Sequence, residues 1–390
     1  MLRFIWLLLL LPMFRLEPEE FKTAPQSLRK KTICLNMIVK DEKDVIRRSL
    51  ASVKNLIDYW VIVDTGSSDG TQAIIKEFMK DIPGELHERP WVNFAHNRNE
   101  AMTLAKDKGD YLLFIDADEQ LVYADNFRRP NLDKDYYYIK VRQGGIDCLR
   151  VFLIESRLPW KWKGVLHEEL VCDEAKSCEA LLDVVDMATA NDGNRSRDPE
   201  KHIKDAKVLE KAMIDEPTNS RYAIFLGQTY VCAKEYKKAM KAFEKRVSMG
   251  GRAEEVFWSL YSIGQLQETL KMSQDQIVDS YCKAYQYRPS RIEPLFSLAY
   301  YYYTKKNFVL AYAVAKMMQS APIPLDIVYV IHSVYQYKRQ FLLANCAFEL
   351  GKYDEAASLY EQILQTRDLP DDVRREIQAN LCMTKSRLIQ

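Results

Sequence analysis

Two carboxylates spaced by one residue, Asp116 and Asp118, close the apolar run "DYLLFIDADE". Exposed acids often do no more than end a strand. A bend at that strand end, typical of a ligand loop, would turn both into one crevice. Hard oxygen ligands there suit Mg²⁺ or Mn²⁺, which hold few protein carboxylates and draw their other ligands from water and phosphates. A third acid, Asp64, ends the run "DYWVIVDT", where it can accept hydrogen bonds from a base or ribose. Gly66, Ser67, Ser68 and Gly70 follow as a tight polar turn capping a helix, and alone that turn is ordinary. Downstream, "WKGVLHEEL" offers His167, Glu168 and Glu169 as ligand or proton acceptor. Period-two alternation would put His167 and Glu169 on one face and Glu168 on the other. The bland reading is a polar strand edge.

The elements that must position these residues alternate in type. "KTICLNMIV", "DYWVIVDT", "GELHERP" and "DYLLFIDADE" read as strands, the last apolar along its length and therefore central. "DEKDVIRRSLASVKNL", "GSSDGTQAIIKEFMK" and "NFAHNRNEAMTLAKDKG" read as helices, the third ending with Gly109 as its C-terminal cap. Such alternation gives a mostly parallel sheet covered on both faces, with ligands beyond the carboxyl ends of the strands. "YYYIKV" and "CLRVFLI" extend the sheet, and the tryptophan-bearing "LPWKWKGVLHEEL" reads as a hairpin. The stretch "ATANDGNRSRDPEK" loses apolar periodicity and reads as the boundary between domains.

From His202 onward the chain is helical and repeats itself. Leu226, Gly227, Tyr230, Ala239 and Phe243 take the spacing of a tetratricopeptide unit. Leu298, Ala299, Tyr302, Ala311 and Ala315 repeat it, as do Ala344, Ala347, Ala356 and Tyr360. Tyr281, Ala284 and Pro289 form a weaker copy. Small residues let paired helices approach, and aromatics fill the holes between repeats. The second half thus resembles a tetratricopeptide array.

Bulk properties agree with two domains. The 390 residues exceed what one core usually supports, and 47% hydrophobic with 28% charged residues suits packed protein. A net charge of +1 provides no global field toward nucleic acid. The eight cysteines form no CxxC pair, which disfavours structural zinc and mildly favours a reducing compartment; Cys172 and Cys178 could pair across a hairpin. The apolar run from Phe4 to Phe14 is shorter than the roughly 20 residues of a spanning helix, and "RLEPEEFK" provides no cleavage site. It is read as a membrane-associating segment, for a cytoplasmic or membrane-associated chain. The sequon at Asn194 would matter only in a secretory lumen, which stays open.

Four ordered motifs carry a resemblance. "LNMIVKDEKDVIRRSLASV", "VIVDTGSSDGT", "WVNFAHNRNEA" and "GDYLLFIDADE" resemble the N-terminal motifs of family 2 glycosyltransferases with the GT-A fold. The resemblance implies an inverting transferase using a nucleotide-activated sugar, commonly a UDP-sugar, with Mg²⁺ or Mn²⁺. It implies Lys40, Glu42, Asp64, Arg98, Asn99 and Asp116 beside the nucleotide, and Asp116 with Asp118 on the metal. Relatives often carry a second acid directly after Asp64; here it is Thr65, so the base contacts differ. A "VHE"-like element in related bacterial enzymes points to His167 as metal ligand or acceptor contact, with Glu168 as base and Glu169 possible. A further histidine, common before the helical part in relatives, is absent from "LLDVVDMATANDG".

The resulting expectation is an α/β plus all-α chain: an N-terminal apolar segment and linker over 1–31, a GT-A-like domain over 32–190, and a tetratricopeptide-like solenoid over 200–390. Its partners would be a nucleotide-sugar donor and a protein, peptide or glycan acceptor, with the solenoid binding acceptor or forming a homodimer. The alternative is an interaction scaffold with a degenerate transferase half, against which the complete acid set argues. A nucleotidyltransferase is set aside, because "LNMIVKDE" lacks the glycine-rich phosphate loop.

Overall fold

The computed structural model describes residues 30–389 apart from 126, 144–145, 182–184, 190–191, 327–328 and 367–368. The N-terminal apolar run lies outside the described residues. Among those described, no helix is long and apolar enough to cross a membrane.

Four parallel strands form the half of the sheet that carries the acids: β1 (Ile33–Val39), β2 (Tyr59–Asp64), β3 (Gly84–Glu88) and β4 (Tyr111–Phe114), ordered β3-β2-β1-β4. Their apolar side chains feed two cores. Ile33, Leu35, Met37 and Val39 join one, while Cys34, Val61, Leu112 and Phe114 join the other. Burial on both faces is what the unbroken apolar runs require. Helix α1 (Ile46–Val53) and α2 (Thr71–Phe78) cover the first face through Ile46, Leu50 and Ile75. Helix α3 (Phe94–Ala105) covers the second through Ala105, and its N-cap Asn93 accepts from the His96 amide.

Past β4 the sheet turns mixed. It continues through β7 (Ile146–Glu155), β6 (Tyr136–Gln143), β11 (Val185–Thr189) and β5 (Glu119–Tyr123), with β10 (Cys178–Ala180) beside β6. A separate hairpin joins β8 (Lys161–Lys163) to β9 (Glu169–Val171). Gly109 is not a helix cap, because α3 ends at Ala105. A side chain there would place its first carbon 2.9 Å from the Cys34 nitrogen, so close backbone approach explains the glycine.

The helical part runs from α4 (Lys201–Asp215) through α5 (Ser220–Cys232), α6 (Tyr236–Met249), α7 (Ala253–Thr269), α8 (Gln274–Tyr287), α9 (Glu293–Thr304), α10 (Phe308–Met317), α11 (Arg339–Glu349), α12 (Tyr353–Leu364) and α13 (Asp371–Ile389). Successive helices pack as antiparallel pairs joined by tight turns. Gly227 of α5 leaves room for the Phe243 ring of α6, and Gly264 of α7 does the same for Tyr281 of α8. Any larger side chain would start 2.7 Å from each ring. Ala299, Ala311, Ala344, Ala347 and Ala356 are fully buried at the equivalent contacts. The sheet domain is therefore followed by a tetratricopeptide-like solenoid.

Candidate active site

Strands β1 and β2 end side by side, with Val39 opposite Asp64, and the loops after them interlock. The Thr65 amide and hydroxyl both donate to the Val39 carbonyl. Asp41, at φ 54°, donates its amide to the Ser67 hydroxyl and accepts from the Ser68 amide at 2.7 Å. The Glu42 amide donates to the Thr71 hydroxyl at 2.8 Å. Gly66 and Gly70, both at positive φ, let the second loop turn tightly enough for this. Asp64 lies fully buried beneath. Its Oδ1 accepts from the Gly66 and Ser67 amides at 2.9 and 2.7 Å, while Oδ2 is buried without a hydrogen-bond partner. Such an oxygen marks a place where a donor is wanted.

Above these loops opens a cavity of about 740 Å³. Lys40, Glu42, Thr65, Arg98, Asp116 and Asp118 line it. The two acids of the pair are in opposite electrostatic states. Burial alone would raise Asp116, but Arg98, assisted by Arg150, holds it below the ordinary carboxylate value. Asp118 is raised by burial and then by the charges of Asp116 and Glu119. Burial pushes Glu42 up to about 7, with Asp118 adding to the effect and the Asn194 amide opposing it. Two neighbouring carboxyls that resist ionisation would be relieved by a cation placed between them.

Arg98 acts as a clamp. Its Nη2 donates to Asp116 Oδ1 at 2.7 Å, its Nε lies 3.5 Å from Glu168 Oε2, and its guanidinium stacks over Trp162 at 5.1 Å. The expected nucleotide contact is thus already committed to two carboxylates, although Arg98 still lines the cavity. Asn99 is a clearer correction. Its side chain exchanges two hydrogen bonds of 2.9 Å with the Trp162 main chain, which uses the amide to pin β8 onto α3.

The "VLHEE" segment does not form the regular strand that alternation assumed. Gly164 and His167 both take positive φ, 107° and 53°, and β9 begins only at Glu169. A left-handed non-glycine residue costs roughly 1–2 kcal/mol, so surrounding contacts must hold it. As a result the three polar side chains separate. Glu168 turns inward: only 8% of its side chain is exposed, and its Oε1 is buried without a hydrogen-bond partner. Burial raises its carboxyl while Arg98 opposes. Glu169 instead meets Arg252 at 2.5 Å and Arg221 at 3.5 Å, which spends it on the helical part and removes it as a base. His167 stacks on Phe225 with ring centres 4.4 Å apart. That burial, with the charges of Arg195, Arg221 and Lys201, pushes the imidazole down to about 4, although the residue as a whole keeps an exposed surface. None of these three residues lines the cavity itself; Glu168 reaches its border through Arg98.

A further part of the lining comes from the stretch read as a plain linker. Asn194, Arg195, Arg197 and Lys201 all line the cavity. Arg48 grips Asp192 with two bonds of 2.7 and 2.8 Å, Arg197 pairs with Asp44 at 2.6 Å, and the Asn194 amide donates to Glu42 Oε2 at 3.1 Å. Arg195 lies over Phe94 at 4.8 Å and pairs with Asp205. The missed signal was the run of cations at 195, 197 and 201. The sequon therefore lies on the rim of the cavity rather than in a free linker.

Residues 34–123 match the family model "Glycosyl transferase family 2". This segment is a family 2 glycosyltransferase domain. A TPR repeat-containing protein of Synechococcus elongatus is 41% identical over 91 residues, covering 23% of this chain and 21% of that protein. An uncharacterized glycosyltransferase of Rickettsia felis is 34% identical over 85 residues, 22% of this chain and 28% of that one. The prophage-derived glycosyltransferase SunS of Bacillus subtilis is 22% identical over 231 residues, 56% and 53% of the two chains. The chain thus spans between 21% and 53% of the length of these relatives. Among solved structures, MamA superposes with a TM-score of 0.36 at 15% identity, covering 45% of this chain and 94% of that one. A tetratricopeptide repeat protein from Parabacteroides merdae gives 0.37 at 16% identity, covering 49% and 69%.

The matched segment of the family 2 domain carries Lys40, Glu42, Asp64, Arg98, Asp116 and Asp118. Glu168 and the cations at 195, 197 and 201 lie beyond it, and the fold of this chain brings the cations into the cavity lining and Glu168 to its border through Arg98. The thiols of Cys172 and Cys178 are both free, and no hairpin disulfide forms.

Proposed function

We propose that the chain is a cation-dependent, inverting glycosyltransferase that moves a sugar from a nucleotide-sugar donor, of the UDP class, to a protein, peptide or glycan acceptor. One observation supports this above others: three acids (Glu42, Asp116, Asp118) and three cations (Arg195, Arg197, Lys201) line one nucleotide-sized cavity. A diphosphate with its cation needs both.

Among the described residues no three His, Cys, Asp or Glu side chains gather as a metal site of their own. The acid pair nevertheless fits Mg²⁺ or Mn²⁺, ions that use one or two carboxylates and complete their shell with phosphate oxygens and water. Asp118 would hold the ion, with Asp116 kept ionised beside it by Arg98. When bound, such an ion neutralises charge developing on a departing phosphate oxygen. The chain's own groups do the rest. On this reading the unpartnered Oδ2 of Asp64, buried just beneath the cavity, accepts from the base or ribose, and the cavity-lining Arg195 and Lys201 bind phosphate oxygens. Glu168 takes the acceptor's proton as the acceptor oxygen attacks the anomeric carbon and the nucleoside diphosphate leaves.

The test is a screen of nucleotide-sugar donors for release of nucleoside diphosphate by the full chain. Release from at least one donor is expected. Inertness toward every donor would leave the repeat scaffold as the surviving reading.

A further inference from the structure

We infer that the repeat array is a working part of the transfer site: Phe225 and Arg221 on α5, with Arg252 just before α7, are positioning residues that hold the 164–169 loop so that Glu168 faces inward. The inference rests on the proposed role of Glu168 as base.

The contacts are several and independent. Leu166 is buried in the solenoid core with Leu209, Tyr222 and Ile224, so the loop is anchored in the helices by its apolar side chain. The His167 ring stacks on Phe225, and the Arg221 guanidinium lies 5.1 Å from the centre of the same Phe225 ring. Arg221 also donates to the His167 carbonyl at 3.5 Å, on the residue that carries the positive φ. Both carboxylate oxygens of Glu169 are held by arginines of the array. Those arginines are fixed in turn, since Arg221 and Arg252 reach Glu255, which is paired to the fully buried Arg246 at 3.0 Å.

Glu168 lies between two residues held in this way. The side chains before and after it point to the helices, and the left-handed step at His167 directs the next one to the opposite side. Within the sheet domain, the β8–β9 pairing of Lys163 with Glu169 closes the loop and Arg98 meets the Glu168 carboxylate, but neither touches the left-handed step at His167. Removing the array's grip would let the 167 backbone relax to an ordinary conformation, and Glu168 would leave its place beside Arg98.

The experiment uses the full chain and four variants: Phe225→Ala, Arg221→Ala, Arg221→Lys and Arg252→Ala. Hydrogen exchange is read on peptides covering 164–171 and on β1 and β2. Steady-state hydrolysis is read with whichever of UDP-glucose, UDP-galactose and UDP-N-acetylglucosamine the wild type turns over fastest. In Phe225→Ala and Arg221→Ala, exchange should quicken in 164–171 alone. Turnover should fall roughly 10- to 100-fold with the donor KM held within about twofold. Arg221→Lys should recover much of the rate. Should Phe225→Ala fail to fold, Arg252→Ala, changed at an exposed arginine, carries the same comparison. Unchanged exchange, or faster exchange with unchanged turnover, overturns the inference. If the wild type hydrolyses none of the three, the donor screen above decides the transferase reading separately, and exchange alone decides whether the array holds the loop.

Discussion

Asp118→Ala lowers donor turnover at least ~100-fold while leaving the fold intact, the expected size for losing a group that organises charge stabilisation at a leaving phosphate. The reason lies in the asymmetry of the acid pair. Asp116 is already balanced by Arg98 at 2.7 Å, so its negative charge is largely spent inside the protein. Asp118 is raised by burial and then by the charges of Asp116 and Glu119. It is therefore the member with charge to offer a cation. Its removal also relieves Glu42, so Asp118→Ala should melt no lower than wild type. A variant that keeps full turnover would show that the acid pair is only a strand end.

Glu168→Gln is expected to cost about 10²–10⁴-fold in transfer, the usual worth of a positioned base. The variant keeps the shape and both polar atoms and removes only the proton-accepting charge. The sign of the pH effect follows from the raised carboxyl. Its protonated form stabilises the folded state fully below the unfolded-state value, and that contribution is lost as pH rises through the raised value. Activity runs the other way, because the base works only when ionised. The wild-type rate should therefore fall on acidification at a pH above the ordinary carboxylate range, and Glu168→Gln should lack that limb. Rates across pH 4–8, with melting temperatures at pH 7.5, check this. An unchanged acid limb would assign the proton to another group.

The α/β alternation, the repeat spacing and the acids at strand ends were legible because each depends on local pattern: an apolar run, a glycine opposite an aromatic, a carboxylate after a strand. What stayed hidden was contact between distant segments. Asn99 sits among cavity-lining residues on its helix, and only the fold reveals that Trp162 takes its amide. Alternation separates Glu168 from Glu169 without deciding which of them meets the site. They differ because His167 leaves the strand conformation, which periodicity cannot anticipate. The cations of the 194–201 stretch read as a solvated linker until Arg48 and Glu42 are seen to hold it at the cavity. Strands β5 and β11 were missed because each is short and follows polar or irregular chain.

The most direct measurement is a calorimetric titration of the full chain with UDP, with and without Mn²⁺. If the acids and cations lining the cavity form a single site for a nucleoside diphosphate and its ion, UDP binds once per chain, at least roughly tenfold more tightly with Mn²⁺, and that gain vanishes in Asp118→Ala. Absence of UDP binding, or an affinity indifferent to Mn²⁺, would contradict the account and leave only the helical array with a role.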